Sequence, residues 1–328
     1  MATDTVSSGL LSDVEELLAA AGRAPSVHNT QPWAFRVVAD RVEVWADPAR
    51  QLRTADPLGR ELAISCGAAL YTLRLAARQH RLVGRATLLP DPEQPRHLGS
   101  VTLRSGPPPT APERRLYAAV PRRHTHRGPF SDRPLDPALR AELTAVAAVD
   151  GARLRFVARP SALGRLAELT RLAQRVQSDD PAWRAEVTAW TPSPGSARRD
   201  GVPATAYEAH PTPSLDGLPP RDFDLHRDWG RERSTRASGG SLALLSTDGD
   251  LPRHWLRAGM ALQHLALRAA ADWAFATYYT QALELPQLRA VIRMETDRSS
   301  YPQMLLRLGY AGYAPSTPRR PVAELLRD

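Results

Sequence analysis

Apolar residues recur at helical intervals from Ser12 to Arg23, where Val14, Leu17 and Leu18 make one face. Ser12 is placed to cap this helix, Glu15 sits at capping-box spacing, and Pro25 ends it. Two strands follow, Ala34 to Val38 and Val42 to Ala46, with a tight turn at Asp40-Arg41. Glu61 to Gln79 returns to helical periodicity through Ile64, Ala68, Tyr71, Leu75 and Ala76. Arg85 to Leu89 and Ser100 to Arg104 then read as short strands.

Ser105 to Pro112 carries four prolines in eight residues and reads as a linker. Beyond it the pattern starts again. Asp136 to Val149 is helical, Arg153 to Val157 is a strand, and Ser161 to Gln177 is helical with Ser161 as its cap. Thr191 to Arg236 is rich in Pro, Gly and charge and too long for an ordinary connection; Tyr207, Phe223 and Trp229 predict a packed lid there. Ser241 to Ser246 is a strand, Pro252 to Trp273 is the longest helix, and Met304 to Leu308 is a last buried strand. Two rounds of helix, strands and helix imply an α+β chain with internal duplication at the level of element order.

Composition narrows the chemistry. The 328 residues contain no lysine, so all 43 basic side chains are arginine. A lysine Schiff base and a P-loop lysine are excluded, and an anion site must use guanidinium groups, whose planar forks suit phosphate. The net charge of +8 raises the question of nucleic acid. The arginines are spread among Asp and Glu, however, with no zinc-finger spacing, aromatic RNA-binding motif or basic arm, so nucleic acid is not an expected partner. No apolar run is long enough to span a bilayer and no signal peptide is visible. With Cys66 as the single cysteine, these features predict a cytoplasmic protein without intrachain disulfides. Cys66 itself lies in an apolar helix start and reads as an inert buried thiol.

The most specific stretch is Ala24-Pro25-Ser26-Val27-His28-Asn29-Thr30-Gln31-Pro32-Trp33. Pro25 ends a helix, Ser26 and Asn29 bring short polar side chains to a turn, and Pro32 turns the chain into a strand. Such residues can simply cap and turn; they can also present polar groups to the rim of a flat heteroaromatic ring. The stretch resembles the Pro-Ser-x-x-Asn-x-Gln-Pro-Trp segment of nitroreductase-type flavoproteins. Its wider context resembles their Acg-type branch, in which two such units are fused. Arg123-His124-Thr125-His126-Arg127 resembles the family's Arg-x-Ser/Thr-x-Arg/Lys motif; read without the resemblance, it is a solvated basic loop. His124 and His126 alternate as metal ligands can, but no third or fourth ligand accompanies them. Pro302 to Tyr310 followed by Pro318-Arg319-Arg320-Pro321 resembles the family's final strand and phosphate-closing basic residue. Arg319 is the better match and Arg320 its alternative, while a second basic residue common in the family is replaced here by Thr317.

The resemblance implies a nitroreductase-like fold of two fused units, residues 1–108 and 109–328, around a mixed or antiparallel sheet, with a lid-like insertion at 191–236. It implies one FMN held by Pro25, Ser26, Val27, Asn29 and Gln31 from the front half. From the back half come Arg123, His124, Thr125 and Arg127, then Tyr279 and Thr280, then Arg319 and Arg320. Arg123, Thr125 and Arg319 fall to the phosphate, Arg127 to the pyrimidine side of the ring, and the stretch around Tyr279 to the reactive nitrogen. The helix through Ala258 to Ala270 is similar to the family's central helix, but Asp272-Trp273 replaces its usual Gly-Leu, and Trp273 reads as a core residue. The reverse pair of motifs is missing, so one flavin per chain is expected. The implied activity is FMN-dependent oxidoreduction of a small organic substrate, with NAD(P)H or another reductant, in a monomer or homodimer. The alternative is a protein that stores FMN beneath the 191–236 segment.

Overall fold

The computed structural model describes residues 8–232, 234, 238–312 and 315–327. The first helix, α1, spans Ser8–Ala21. It begins before Ser12, so a cap at Ser12, whose side chain lies outside the described residues, has no helix start to close. Strands β1 (Trp33–Val38) and β2 (Arg41–Ala46) form a hairpin with Val38 opposite Arg41. The turn is therefore Ala39-Asp40, one position earlier than expected, and Ala39 adopts the left-handed φ of 52° that a two-residue hairpin loop demands. Helix α2 (Arg60–Gln79) and strands β3 (Leu82–Leu88) and β4 (His97–Ser105) complete a sheet ordered β1-β2-β4-β3.

Helix α3 (Ala111–Ala118) begins inside the expected linker, because Thr110 and Glu113 form a capping box and Pro112 sits in the first turn, where no amide hydrogen is needed. Helix α4 (Pro137–Val149) starts on the Asp136 cap, whose carboxylate accepts from the Ala138 amide at 2.8 Å. After β5 (Arg153–Phe156), helix α5 (Pro160–Asp179) begins at Pro160 with Arg159 in the cap position, so Ser161 lies within the helix. Then come α6 (Pro181–Ala189), β6 (Ser241–Thr247), α7 (Pro252–Ala271) and β7 (Ala274–Tyr278). The described chain ends through α8 (Gln281–Glu284), α9 (Pro286–Thr296), β8 (Tyr301–Tyr310) and α10 (Val322–Leu325). The second sheet is ordered β5-β6-β8-β7. Among the described residues there are thus two sheets, all their pairs are antiparallel, and both place the first, second, fourth and third strands in the same order.

Helices α2 and α7 join the two halves, and glycine allows their backbones to touch. A methyl group at Gly259 would stand 1.9 Å from the Ile64 carbonyl oxygen, and one at Gly67 would stand 2.1 Å from that of Leu256. Gln263 crosses the same contact, donating to the Thr72 hydroxyl at 2.9 Å. Backbone cannot retreat as a flexible side chain can, so Gly259→Ala must part the helices. We expect it to lower the unfolding free energy by about 3 kcal/mol, the upper range for overpacking, in urea titrations.

The described residues of 191–236 contain little regular structure beyond a short turn at Ala204–Ala206. They are packed nonetheless. Tyr207 and Phe223 bury themselves with Trp183 and Val187 of α6 and with Leu52 and Ala55 of the front half. Asp224 is fully buried and accepts from the amides of Asp228, Trp229 and Gly230 at 2.7, 2.8 and 3.0 Å, which holds the loop's shape without a helix or sheet.

Candidate functional site

A cleft enclosing roughly 1100 Å³, part of it open to solvent, lies where the two halves meet. The turn after α1 forms one wall with Pro25, Ser26, Val27 and His28. Thr125 and Arg127 stand on another, with Tyr278, Tyr279 and Thr280 beside them, and Tyr207, Arg221 and Phe223 contribute from the 191–236 segment.

The turn is wound tightly. His28, Asn29 and Gln31 all have left-handed backbones, with φ of 44°, 55° and 50°, a conformation that costs a side-chain-bearing residue energy and persists only where its surroundings enforce it. The Ser26 hydroxyl accepts from the Gln31 amide at 2.9 Å, and the Val27 amide donates to the Ser65 hydroxyl at 3.2 Å. Asn29 and Gln31 do not line the cleft. The Asn29 amide nitrogen donates to the carbonyls of Gly201 (2.9 Å) and Pro318 (3.1 Å), and its oxygen accepts from Arg319 Nη1 at 2.9 Å. Gln31 donates to the Arg199 carbonyl at 2.8 Å and accepts from the Arg320 amide at 2.9 Å. These two side chains therefore clasp the C-terminal arm and the 199–201 strand of loop onto the turn.

The back-half residues converge on the same place. His126 donates its amide to the Ala276 carbonyl at 2.9 Å, which sets the Arg123–Arg127 loop alongside β7. Arg123 is 3% exposed and donates to the Arg23 carbonyl at 2.9 Å; Arg319 also reaches the Arg23 and Ala24 carbonyls. Arg320 is engaged elsewhere, with Gln31 and with Glu324, so of the two neighbours Arg319 is the one turned toward Arg123. Tyr279 lies in the second-half core against Arg307, and the Thr280 hydroxyl donates to Glu284 at 2.8 Å.

The electrostatics of this cluster are unbalanced. Among the described residues no carboxylate pairs with Arg23, Arg123, Arg127 or Arg319. Burial, and then the fields of Arg23, Arg123 and Arg127, hold Arg319 well below the usual guanidinium range, and burial and neighbouring arginines pull Arg127 down to about 10. Arg123 Nε, Arg127 Nη1, Arg319 Nε and His124 Nδ1 are buried and without hydrogen-bond partners. Cations gathered out of water with spare donors form a cradle for a multiply charged anion. Metal is a poor fit, since no group of three His, Cys, Asp or Glu side chains among the described residues is placed to hold one.

Three histidines line or flank the site, and all are held below the ordinary histidine range. Burial is the main cause for each; Arg221 and Arg127 add to it at His28, and Arg123, Arg319 and Arg23 bring His124 down to about 4. A depressed histidine contributes stability that is complete above its unfolded pKa near 6.5 and is lost as pH falls toward its folded value. The ligand-free protein should therefore lose on the order of 2 kcal/mol between about pH 7.5 and about pH 5 in urea titrations. An unchanged midpoint would show these rings to be solvated.

Several residues here have no signal in the chain's pattern. His28 is 5% exposed, with neither ring nitrogen bonded and Phe223 5.3 Å away edge-on. Glu61 occupies the first turn of α2, where an acid is ordinarily a dipole partner. Arg221 lies in a stretch without periodicity and pairs with buried Glu284. Trp273, expected in the core, is 54% exposed beneath the Arg122 guanidinium at 4.5 Å, and its φ of 59° marks the turn that brings α7 into β7. Cys66 is buried as expected, and burial pushes its thiol far up from the ordinary range.

Over 325 residues the chain is 34% identical to a Mycobacterium tuberculosis H37Rv protein named "Putative NAD(P)H nitroreductase Rv3131", covering 95% of this chain and 90% of that one. It is 28% identical over 315 residues to the Acg protein of the same organism, named in the same way, with 92% of each chain covered. The chain belongs to the nitroreductase-like family, in its Acg-type branch. No family model matches it. Likeness to solved structures is faint. A nitroreductase with bound FMN from Bacteroides fragilis has a TM-score of 0.38 at 13% identity, covering 62% of this chain and 93% of that one. An iodotyrosine deiodinase bound to FMN and 3-iodo-L-tyrosine has a TM-score of 0.39 at 16% identity, covering 62% and 95%.

Proposed function

We propose that this chain is an FMN-dependent oxidoreductase that passes electrons from NAD(P)H to a small organic acceptor. The observation that carries the reading is the arginine cradle: guanidinium groups with no carboxylate partner among the described residues, at the edge of a cleft walled by aromatic and apolar side chains. FMN presents a phosphate of nearly two charges on a planar ring system, which matches that combination. In this reading Arg123, His124, Thr125 and Arg319 hold the phosphate, and Arg320 holds the arm through Gln31. Pro25, Ser26, Val27 and His28 flank the ring, while Arg127, Tyr279 and Thr280 border its reactive side. Asn29 and Gln31 act by fixing the turn. When bound, the flavin supplies hydride chemistry; the protein sets its orientation and, through Arg127, favours the negative charge that accompanies reduction. Residues 1–108 and 109–328 are the two units, each giving one part of the site.

Among the described residues no helix is long and apolar enough to cross a membrane. A single buried thiol suits the reducing cytoplasm in which NAD(P)H is available.

The visible spectrum of the purified protein, followed by identification of the released flavin, tests the cofactor. NADPH or NADH should then bleach that spectrum anaerobically, and menadione or a nitroaromatic should restore it. A yellow protein that neither nucleotide reduces would favour storage instead. That second reading is supported by Tyr207, Arg221 and Phe223, which bring the 191–236 segment over the cleft.

A further inference from the structure

Glu61 differs from the other acidic side chains near the cleft. It is 4% exposed and lines the cleft from the first turn of α2, with Ile64 and Ser65 on the next turn. One carboxyl oxygen accepts from Arg60 Nη2 at 2.8 Å, and the other carries no hydrogen bond among the described residues. Arg60 is itself divided between Glu61 and the carbonyls of Gln303 and Leu283. The charged groups facing Glu61 come from every element around it: Asp56 ahead of α2, Arg60, Glu284 of α8, Arg289 of α9 and Arg221 of the roof. Burial and the adjacent Glu284 charge raise its carboxyl well above the ordinary range, against the opposing pull of Arg60. The flavin chemistry proposed above needs a proton as well as a hydride, and none of the residues assigned there carries a carboxyl group to supply it.

We propose that Glu61 is the proton donor to the substrate reduced in this cleft, an acceptor such as a quinone whose oxygen becomes negative as hydride arrives. The inference rests on the flavin reading. The acceptor gains a hydride at one oxygen and is left with a negative charge on the other. The Glu61 O–H bond breaks, its proton goes to that oxygen, and the product leaves as a neutral hydroquinone. The Glu61 carboxylate that remains keeps its contact with Arg60 and takes a proton back from solvent through the open cleft. NAD(P)H is the reductant, so electrons and protons balance over the cycle.

The test uses the full-length protein and two independent readouts. Infrared difference spectra of wild type against Glu61→Gln should show a protonated-carboxyl stretch at neutral pH that the substitution removes and that alkaline pH bleaches. In stopped-flow oxidation of the reduced protein by menadione, E61Q should be about 100-fold slower, the usual contribution of a general acid. It should also lack the wild type's alkaline fall and solvent isotope effect, and Glu61→Asp should recover part of the rate. A yellow protein whose E61Q variant shows no missing carboxyl band, or oxidises within about twofold of wild type, overturns this proposal. Failure of wild type to take up FMN overturns the flavin reading instead, and the infrared band can be read in either case.

Discussion

Replacing Arg123 and Arg319 together by alanine should abolish retention of FMN through purification while leaving the flavin-free protein nearly as stable as before. Each arginine in a charge-assisted contact to phosphate contributes roughly 1.5–3 kcal/mol, so the pair weakens binding by about 10² to 10⁴-fold. Stability behaves differently because these side chains are poorly off without their ligand. Burial and mutual repulsion already act against their charge. Removing them forfeits the bonds to Arg23, Ala24 and Asn29 but also relieves that repulsion, so the net change should stay within about 1 kcal/mol. Flavin fluorescence titration and thermal melts of the ligand-free forms separate the two effects. A double variant that stays yellow would place the phosphate elsewhere.

The second large effect lies in the roof of the cleft. Arg221 and Glu284 form an ion pair whose side chains are 6% and 1% exposed, and Glu284 also accepts from Thr280 and Gln177, each at 2.8 Å. Breaking such a pair from one side leaves a buried charge uncompensated, typically at a cost of 3–5 kcal/mol, whereas removing both charges is far milder. Arg221→Gln should therefore cost about 3 kcal/mol, and Arg221→Gln with Glu284→Gln should recover most of it. Because Arg221 belongs to the roof, R221Q should also expose bound flavin to iodide quenching. Equal losses in the single and double variants would mean that Arg221 matters only for packing.

The features of the site that could be read in the chain were those set by local geometry. A proline-bounded turn of short polar residues and a run of arginines each declare themselves within ten residues, and the structure brings Asn29 and Arg319 to 2.9 Å across 290 positions. Glu61, His28 and Arg221 were hidden for a different reason: their importance comes from what the fold buries beside them. Among the elements, α3 was missed because the prolines of Ser105 to Pro112 were read as breakers, and α6 and α9 were not expected at all. Pro112, Pro181 and Pro286 instead occupy first turns, as do Pro137, Pro160 and Pro252. This chain uses proline to start helices. Trp273 was misplaced because aromatic bulk says nothing about a backbone that must turn with positive φ.

The clasp at Asn29 and Gln31 also bears on how the molecule is made. Pro318, Arg319 and Arg320 lock onto the front-half turn, and a little further on the Arg327 amide donates to the Phe35 carbonyl at 2.8 Å, beside the first strand. The arm leaves the ribosome after everything it grips. However early the opening hairpin forms, that end of the crevice stays ajar during synthesis, and under the proposed reading a nascent chain should capture FMN only once translation has passed the arm.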